Sequence, residues 1–384
     1  MDNSPSNNTA DFQDLQEAID TASEGDTLLI KGSYIPYGRR MYIFNNENQA
    51  EGTLLNKRLV LIGEGAYEHP NGPGFDDRLR KTNINNLVFS STEESSASGS
   101  VIIGVWASSL RYGLYNDDAQ TIEDIDVRDS HVDAVHVGNE DQRIDGLMLT
   151  RSAFRTYTGS FADFAQNVSA SNCFINISGP LTMMGGENLF VNNVFSLRPN
   201  GELVEYDQDG EGDPIYEKGW SAENVKIHNS ILYLAGFQDA KNETRLAMFS
   251  SNSELKNSIV MGPFDSRDLL DTDNIDLTLS NLSIEQDPFI RIPEPEDFYS
   301  EVIRVTTATG NYRLKQSSVG KGAGTDETDI GIYGGNTPWI DGPVWRYSNQ
   351  PSIPVIESLK LEKKTVKPGE GLKVRVRARA KGNQ

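Results

Sequence analysis

A run of carboxylates, Glu205-Tyr-Asp207-Gln-Asp209-Gly-Glu211-Gly-Asp213-Pro-Ile-Tyr-Glu217, offers several hard oxygen donors over a glycine-rich backbone. Converging carboxylate oxygens and glycines that permit a tight wrap are what a calcium loop requires. Asp207, Asp209, Glu211 and Asp213 are therefore the expected ligands of a Ca2+ ion. The run is not an EF-hand loop: Gly212 is sixth from Asp207, but the twelfth residue is Lys218 where a glutamate is needed. The competing reading is a solvated acidic loop on an acidic protein. Tyr206, Tyr216 and Trp220 bring rings on which sugars could stack, or that simply pin the loop. Arg151, Arg155 and Lys218 are cations that could face a uronate carboxylate. His131, Asp133 and His136 lie close in sequence, yet nothing supplies a third metal ligand, so surface decoration is the simpler reading. Cys173 is the one cysteine of the chain, which excludes an internal disulfide, and it reads as a small core residue.

What positions these residues is a repeat. A phrase of alternating apolar residues followed by a turn residue recurs as Ile125-Asp-Val127-Arg-Asp129, Leu147-Met-Leu149-Thr-Arg151, Val168-Ser-Ala170-Ser-Asn172 and Leu189-Phe-Val191-Asn-Asn193. It continues through Val225 to Asn229, Ser253 to Asn257 and Leu277 to Asn281. Turn residues at 129, 151, 172, 193, 229, 257 and 281 give steps of 22, 21, 21, 36, 28 and 24. Period-2 alternation over three to five residues means a strand with one face buried. Asparagine tolerates the left-handed backbone, so one per repeat marks a recurrent corner. Stacked at strand spacing, Asn172, Asn193, Asn229, Asn257 and Asn281 would form an amide ladder. Earlier repeats are looser: Leu28-Leu-Ile30, Leu59-Val-Leu61, Leu87-Val-Phe89 and Val101-Ile-Ile103. Ahead of them, residues 11–22 carry apolar positions at helical spacing, which predicts a helix capping the open end of the stack. The long step from 193 to 229 holds the acidic run, so that run is an insertion between repeats.

The expected fold is thus all-β, a right-handed parallel β-helix with an N-terminal capping helix and a short C-terminal ribbon. Residues 1–10 read as a polar tail, 11–350 as the β-helix and 351–384 as the ribbon. Asp11 to Tyr34, with Gly25-Asp26-Thr27-Leu28-Leu29-Ile30 after the helix, resembles the N-terminal cap and first coil of the pectin-lyase-like superfamily. Asn56 to Gly65 and Asp329-Ile330-Gly331-Ile332-Tyr333-Gly334-Gly335 are similar to early and late coils of a secreted bacterial group within it. The resemblance covers roughly residues 11 to 360 and implies a fold, with ligand sites on one outer face flanked by inserted loops. It implies no particular chemistry. The polygalacturonase-like pattern needs a Gly-His-Gly, which is missing, although Asp76-Asp77 and Asp117-Asp118 are present. The pectate-lyase-like pattern needs aspartates on calcium and an Arg or Lys base, and spacing singles out none.

A formal charge of −21 opposes nucleic acid and anionic membranes as partners. No apolar run approaches the roughly 20 residues of a membrane span. Residues 1–8 lack the basic and apolar regions of a secretory signal, and the expectation is an extracellular or cell-surface protein whose signal was removed. After Pro354 the pattern changes: Leu372-Lys-Val374-Arg-Val376-Arg-Ala378-Arg-Ala380-Lys381 alternates without a fault. Residues 356–384 carry +6, which leaves −27 for the remainder. A two-stranded ribbon is not stable alone. Its apolar face is expected against the β-helix or another subunit, with Lys373, Arg375, Arg377 and Arg379 available for assembly. Two function classes remain: a rigid module that binds glycan or self-assembles, and a calcium-dependent lyase or glycoside hydrolase acting on acidic polysaccharide.

Overall fold

The computed structural model describes residues 10–33, 36–37, 52–66, 81–92, 94–113, 121–137, 143–156, 164–178, 181–198, 203–205, 215–216, 220–234, 247–249, 252–261, 269–270, 289–291, 311–339, 355–361 and 374–379. Among them one helix, Leu15–Thr21, precedes an all-β body. The Asp14 carboxylate accepts from the Glu17 N–H at 3.0 Å and caps the helix. Leu15, Ala18 and Ile19 are fully buried, one turn apart, on its inner face. The Gln16 side chain accepts from the Leu54 N–H at 2.7 Å and donates to the Leu54 carbonyl at 3.1 Å. Those are groups a further strand would otherwise take, so the helix closes that edge.

Two long parallel sheets alternate along the chain. The first has nine described strands in chain order: Thr27–Ile30, Val60–Gly63, Val101–Ile103, Asp126–Arg128, Met148–Thr150, Ser169–Ser171, Leu189–Val191, Lys226–His228 and Glu254–Lys256. The second runs through Thr53–Leu55, Asn83–Phe89, Trp106–Tyr112, His131–Val132, Ala153–Thr156, Phe174–Ser178, Val194–Arg198, Ile231–Leu234 and Ile259–Met261, with Val135–Val137 beside Trp106–Tyr112. Smaller parallel sheets, one holding Thr121–Glu123, Arg143–Asp145 and Ala165–Gln166 and another starting at Leu181–Thr182, complete the wall. Inward residues of all of them, such as Val127, Leu149 and Phe190 from the first, Phe154 and Phe195 from the second and Ile122 and Leu181 from the others, meet in one core.

Corners make this possible. After each strand of the first sheet from Val101–Ile103 onward stands a left-handed residue: Gly104, Asp129, Arg151, Asn172, Asn192, Asn229 and Asn257, the non-glycines at φ between 45° and 57°. The sequence reading is corrected in one repeat. The corner is Asn192, not Asn193, and Phe190 points inward while Leu189 is 36% exposed. A one-residue slip exchanges the two faces of a strand, and the flanking Leu189 and Val191 disguised the phase. Leu87-Val-Phe89 also belongs to the second sheet, not to the column of Leu28, Leu61 and Ile102. Asn281 lies outside the described residues.

Asn193 instead occupies an inner ladder one step past the corner, with Ser130, Ser152, Cys173, Ser230 and Ser258. Each side chain receives the backbone N–H of its predecessor: Ser152 Oγ from Ser130 at 3.0 Å, Asn193 Oδ1 from Cys173 at 2.7 Å, Ser230 Oγ from Asn193 at 3.0 Å and Ser258 Oγ from Ser230 at 3.1 Å. The Cys173 thiol takes the Ser152 N–H and sits 3.3 Å from the Ser171 carbonyl. Buried donors at the bend, which a sheet ladder cannot reach, are satisfied in this way.

Residues 311–339 form a strap over the outer side of the second sheet. Its Tyr312, Leu314, Ile330, Ile332 and Trp339 cover Ala153, Phe174, Val194, Ile231 and Ile259. Those five are successive register partners, the first residues of neighbouring strands. Val355–Leu361 and Val374–Arg379 form an antiparallel pair with one irregularity between Ile356 and Ser358.

Candidate functional site

The outer face of the first sheet carries two columns of side chains, because each three-residue strand sends its middle residue inward. Charged members of these columns close on one another. Arg128 Nε lies 2.9 and 2.8 Å from the Asp126 carboxylate oxygens. Lys256 Nζ is 2.7 Å from Glu254 Oε1, which also takes His228 Nε2, and Lys226 reaches Glu187. At the corner, Arg151 grips Asp129 with two N–H···O bonds of 2.7 Å. Burial pushes the Asp129 carboxyl up from its ordinary value against the pull of Arg151 and Arg128, while the bond to Asp129 holds the Arg151 guanidinium charged. Arg151 thus braces two successive corners.

A second cluster sits on the second sheet. Trp106 and His131 are register partners, and their rings stack at 3.8 Å and 8°. Lys81 Nζ lies 3.9 Å over the Trp106 ring. Asp133 closes the group, accepting from Trp106 Nε1 at 3.0 Å with its other oxygen 3.2 Å from His131 Nε2. His131 is fully buried, contrary to the surface reading of the sequence. Burial lowers its pKa more than Asp133 raises it, so the imidazole is held neutral. For Asp133 burial acts upward, but His131, Trp106 and Lys81 together bring its carboxyl below the usual range. With both faces of the indole occupied, Trp106 is a brace and not a sugar platform.

His136 lies next to Arg111, its register partner, and burial and that guanidinium lower its pKa. Arg155 falls in the strand Ala153–Thr156, in register with Asn176, and Tyr216 and Trp220 begin or end short strands. Arg375, Arg377 and Arg379 lie in the last strand. The side chains of these six are not described. Tyr206, Asp207, Asp209, Glu211, Asp213, Lys218 and Lys373 lie outside the described residues. Among the described residues, no group of three or more His, Cys, Asp or Glu side chains is placed to hold a metal ion, and no helix is long and apolar enough to cross a membrane. Comparison with family models, curated proteins and solved structures finds no match.

Sequence reasoning missed two features. The Trp106 and Lys81 partners of His131 were hidden because Trp106 stands one repeat earlier, and only the register brings it to the ring. The exposed Met148 and Leu189 on the first sheet were taken as core or left unread, although Met148 falls between the inward Leu147 and Leu149.

Proposed function

We propose that the chain is a right-handed parallel β-helix of the pectin-lyase-like superfamily. It works outside the cell or at its surface as a rigid module that binds glycan or assembles with its own kind. The observation that carries this reading is the closure of ionisable side chains on one another, as in Asp126–Arg128, Asp129–Arg151 and the Trp106, His131 and Asp133 cluster. A lyase or hydrolase aims such groups at substrate, whereas here they bond to one another, Asp126 to Arg128 and His131 to Asp133 within a repeat and Asp129 to Arg151 and Trp106 to Asp133 between repeats. The glycan would meet Tyr206, Tyr216, Trp220 and Arg155 beside the acidic insertion, where Asp207, Asp209, Glu211 and Asp213 take Ca2+ and order the loop. Co-sedimentation with insoluble cell-wall polysaccharides, with calcium and with chelator, tests the module reading. Retention of polymer without shortening supports it, and release of shortened chains refutes it.

The competing reading is a calcium-dependent polysaccharide lyase or glycoside hydrolase acting on acidic polysaccharide. One observation favours it: the register of His136 against Arg111, which sets an imidazole held neutral beside a guanidinium on adjacent strands.

A further inference from the structure

On the outer face of the first sheet, three consecutive strands carry no charge. Their outward pairs are Met148 and Thr150, Ser169 and Ser171, and Leu189 and Val191, placed side by side by the register. Met148 is 42% and Leu189 36% exposed. The hydroxyls of Thr150, Ser169 and Ser171 make no hydrogen bond to any described residue. On either side of this window stand ion pairs already closed within the chain, Asp126 with Arg128 and Lys226 with Glu187. On a chain of formal charge −21, two copies repel wherever carboxylates meet, and this face is one on which they do not.

The pattern is also self-complementary. Polar Ser169 and Ser171 lie on the central strand, with Met148 one strand before and Leu189 one strand after. A two-fold axis along the central strand turns the face onto itself, so that Met148 of one copy meets Leu189 of the other and each Ser169 meets its own counterpart. We propose that this window is a contact between two copies of the chain, packed sheet against sheet. The inference rests on the module reading only for its biological setting, and its test uses neither glycan nor product. Strands about 4.8 Å apart and about 3.3 Å per residue give the three strands of the window an area of about 140 Å² per copy. A stable complex buries about 800 Å² per partner. The contact is therefore weak in dilute protein and grows where copies are crowded.

Thiol crosslinking of the full chain at high concentration decides it, because buried Cys173 does not compete. The linker matches the roughly 10 Å between packed sheets. Ser169→Cys, on the axis, is expected to link to itself. Met148→Cys and Leu189→Cys are expected to link poorly alone and well when mixed. Adding Leu189→Glu to Ser169→Cys should cut the yield about tenfold, since it buries an unpaired carboxylate. Leu29→Cys, at 57% exposure on the first strand of the sheet, reports random collision. If Ser169→Cys links no better than Leu29→Cys, or if mixing Met148→Cys with Leu189→Cys gains nothing, the two-fold contact does not exist.

Discussion

The indole N–H of Trp339 donates to the main-chain carbonyl of Asn172, 167 positions earlier in the chain. The same asparagine donates its amide to the carbonyls of Ile332 at 3.0 Å and Gly334 at 2.6 Å and accepts from the Thr337 hydroxyl at 2.8 Å. Asn229 and Asn257 likewise bond to the strap, through Thr325 Oγ1 at 2.9 Å and the Ala323 carbonyl at 2.7 Å. Only one amide bond, Asn257 Nδ2 to Asn229 Oδ1 at 2.8 Å, runs between the described corner asparagines. These corners therefore serve the strap as much as each other. Replacing Asn172 with alanine leaves buried partners unsatisfied and puts alanine at φ 54°. The expected cost is about 2 to 4 kcal/mol. Urea unfolding measures it, and hydrogen exchange should show faster exchange across 312–339 than in the strands of the first sheet.

Gly335 sits at φ +71°, and a Cβ there would lie 1.8 Å from Asn192 Nδ2. Gly335→Ala should therefore destabilise by about 2 kcal/mol or more. Much of that cost comes from the clash with Asn192, so Gly335→Ala combined with Asn192→Ala should lose less than the sum of the two single changes. Additive losses in a double-mutant cycle would show that the strap does not press on that corner.

Cys173 is one rung of a ladder otherwise made of serines and Asn193. Cys173→Ser keeps an acceptor for the Ser152 N–H and a donor toward the Ser171 carbonyl, and should change stability by less than about 1 kcal/mol. Cys173→Val strands the Ser152 N–H and should cost about 1 to 3 kcal/mol. Burial pushes the thiol up to about 12, so the folded protein should resist alkylation at pH 8 until denaturant is added. Rapid labelling of the native chain would contradict the ladder.

The His131 pKa is lowered from 6.5 by burial. The unfolded chain then takes up this proton first. The stability contributed by the neutral ring is full above about pH 6.5 and is lost as pH falls through the lower folded value. His131→Phe keeps a flat ring against Trp106 without the titration. Denaturant unfolding at pH 7.5 and pH 5 should show a smaller acid loss in this variant than in the unaltered protein. Equal losses would assign the acid sensitivity to other groups.

Much of the strand pattern was legible because inward residues such as Val127, Leu149, Ala170 and Ile227 alternate with polar ones and end at a left-handed Asp, Arg or Asn. It failed at Leu189–Asn193, where apolar residues lie on both faces and two asparagines compete for the corner. The strap was illegible for a different reason. Its partners Phe174, Val194 and Ile231 are outward residues beside the inward set, and nothing local says that an outward apolar column awaits a segment far along the chain. The brace between Asp129 and Arg151 was readable as spacing, 22 residues or one repeat, but Arg151 was considered as a ligand-facing cation. Its partner became visible only once the corners were stacked.

The most direct test of the module reading is to incubate the protein with uronate-containing polysaccharides, with and without calcium, and to follow the absorbance of newly formed unsaturated ends. The reading predicts no product above background in either condition, while calorimetry detects calcium heat that Asp207→Ala with Asp209→Ala removes. Calcium-dependent product that the same double variant abolishes would contradict it and establish a lyase.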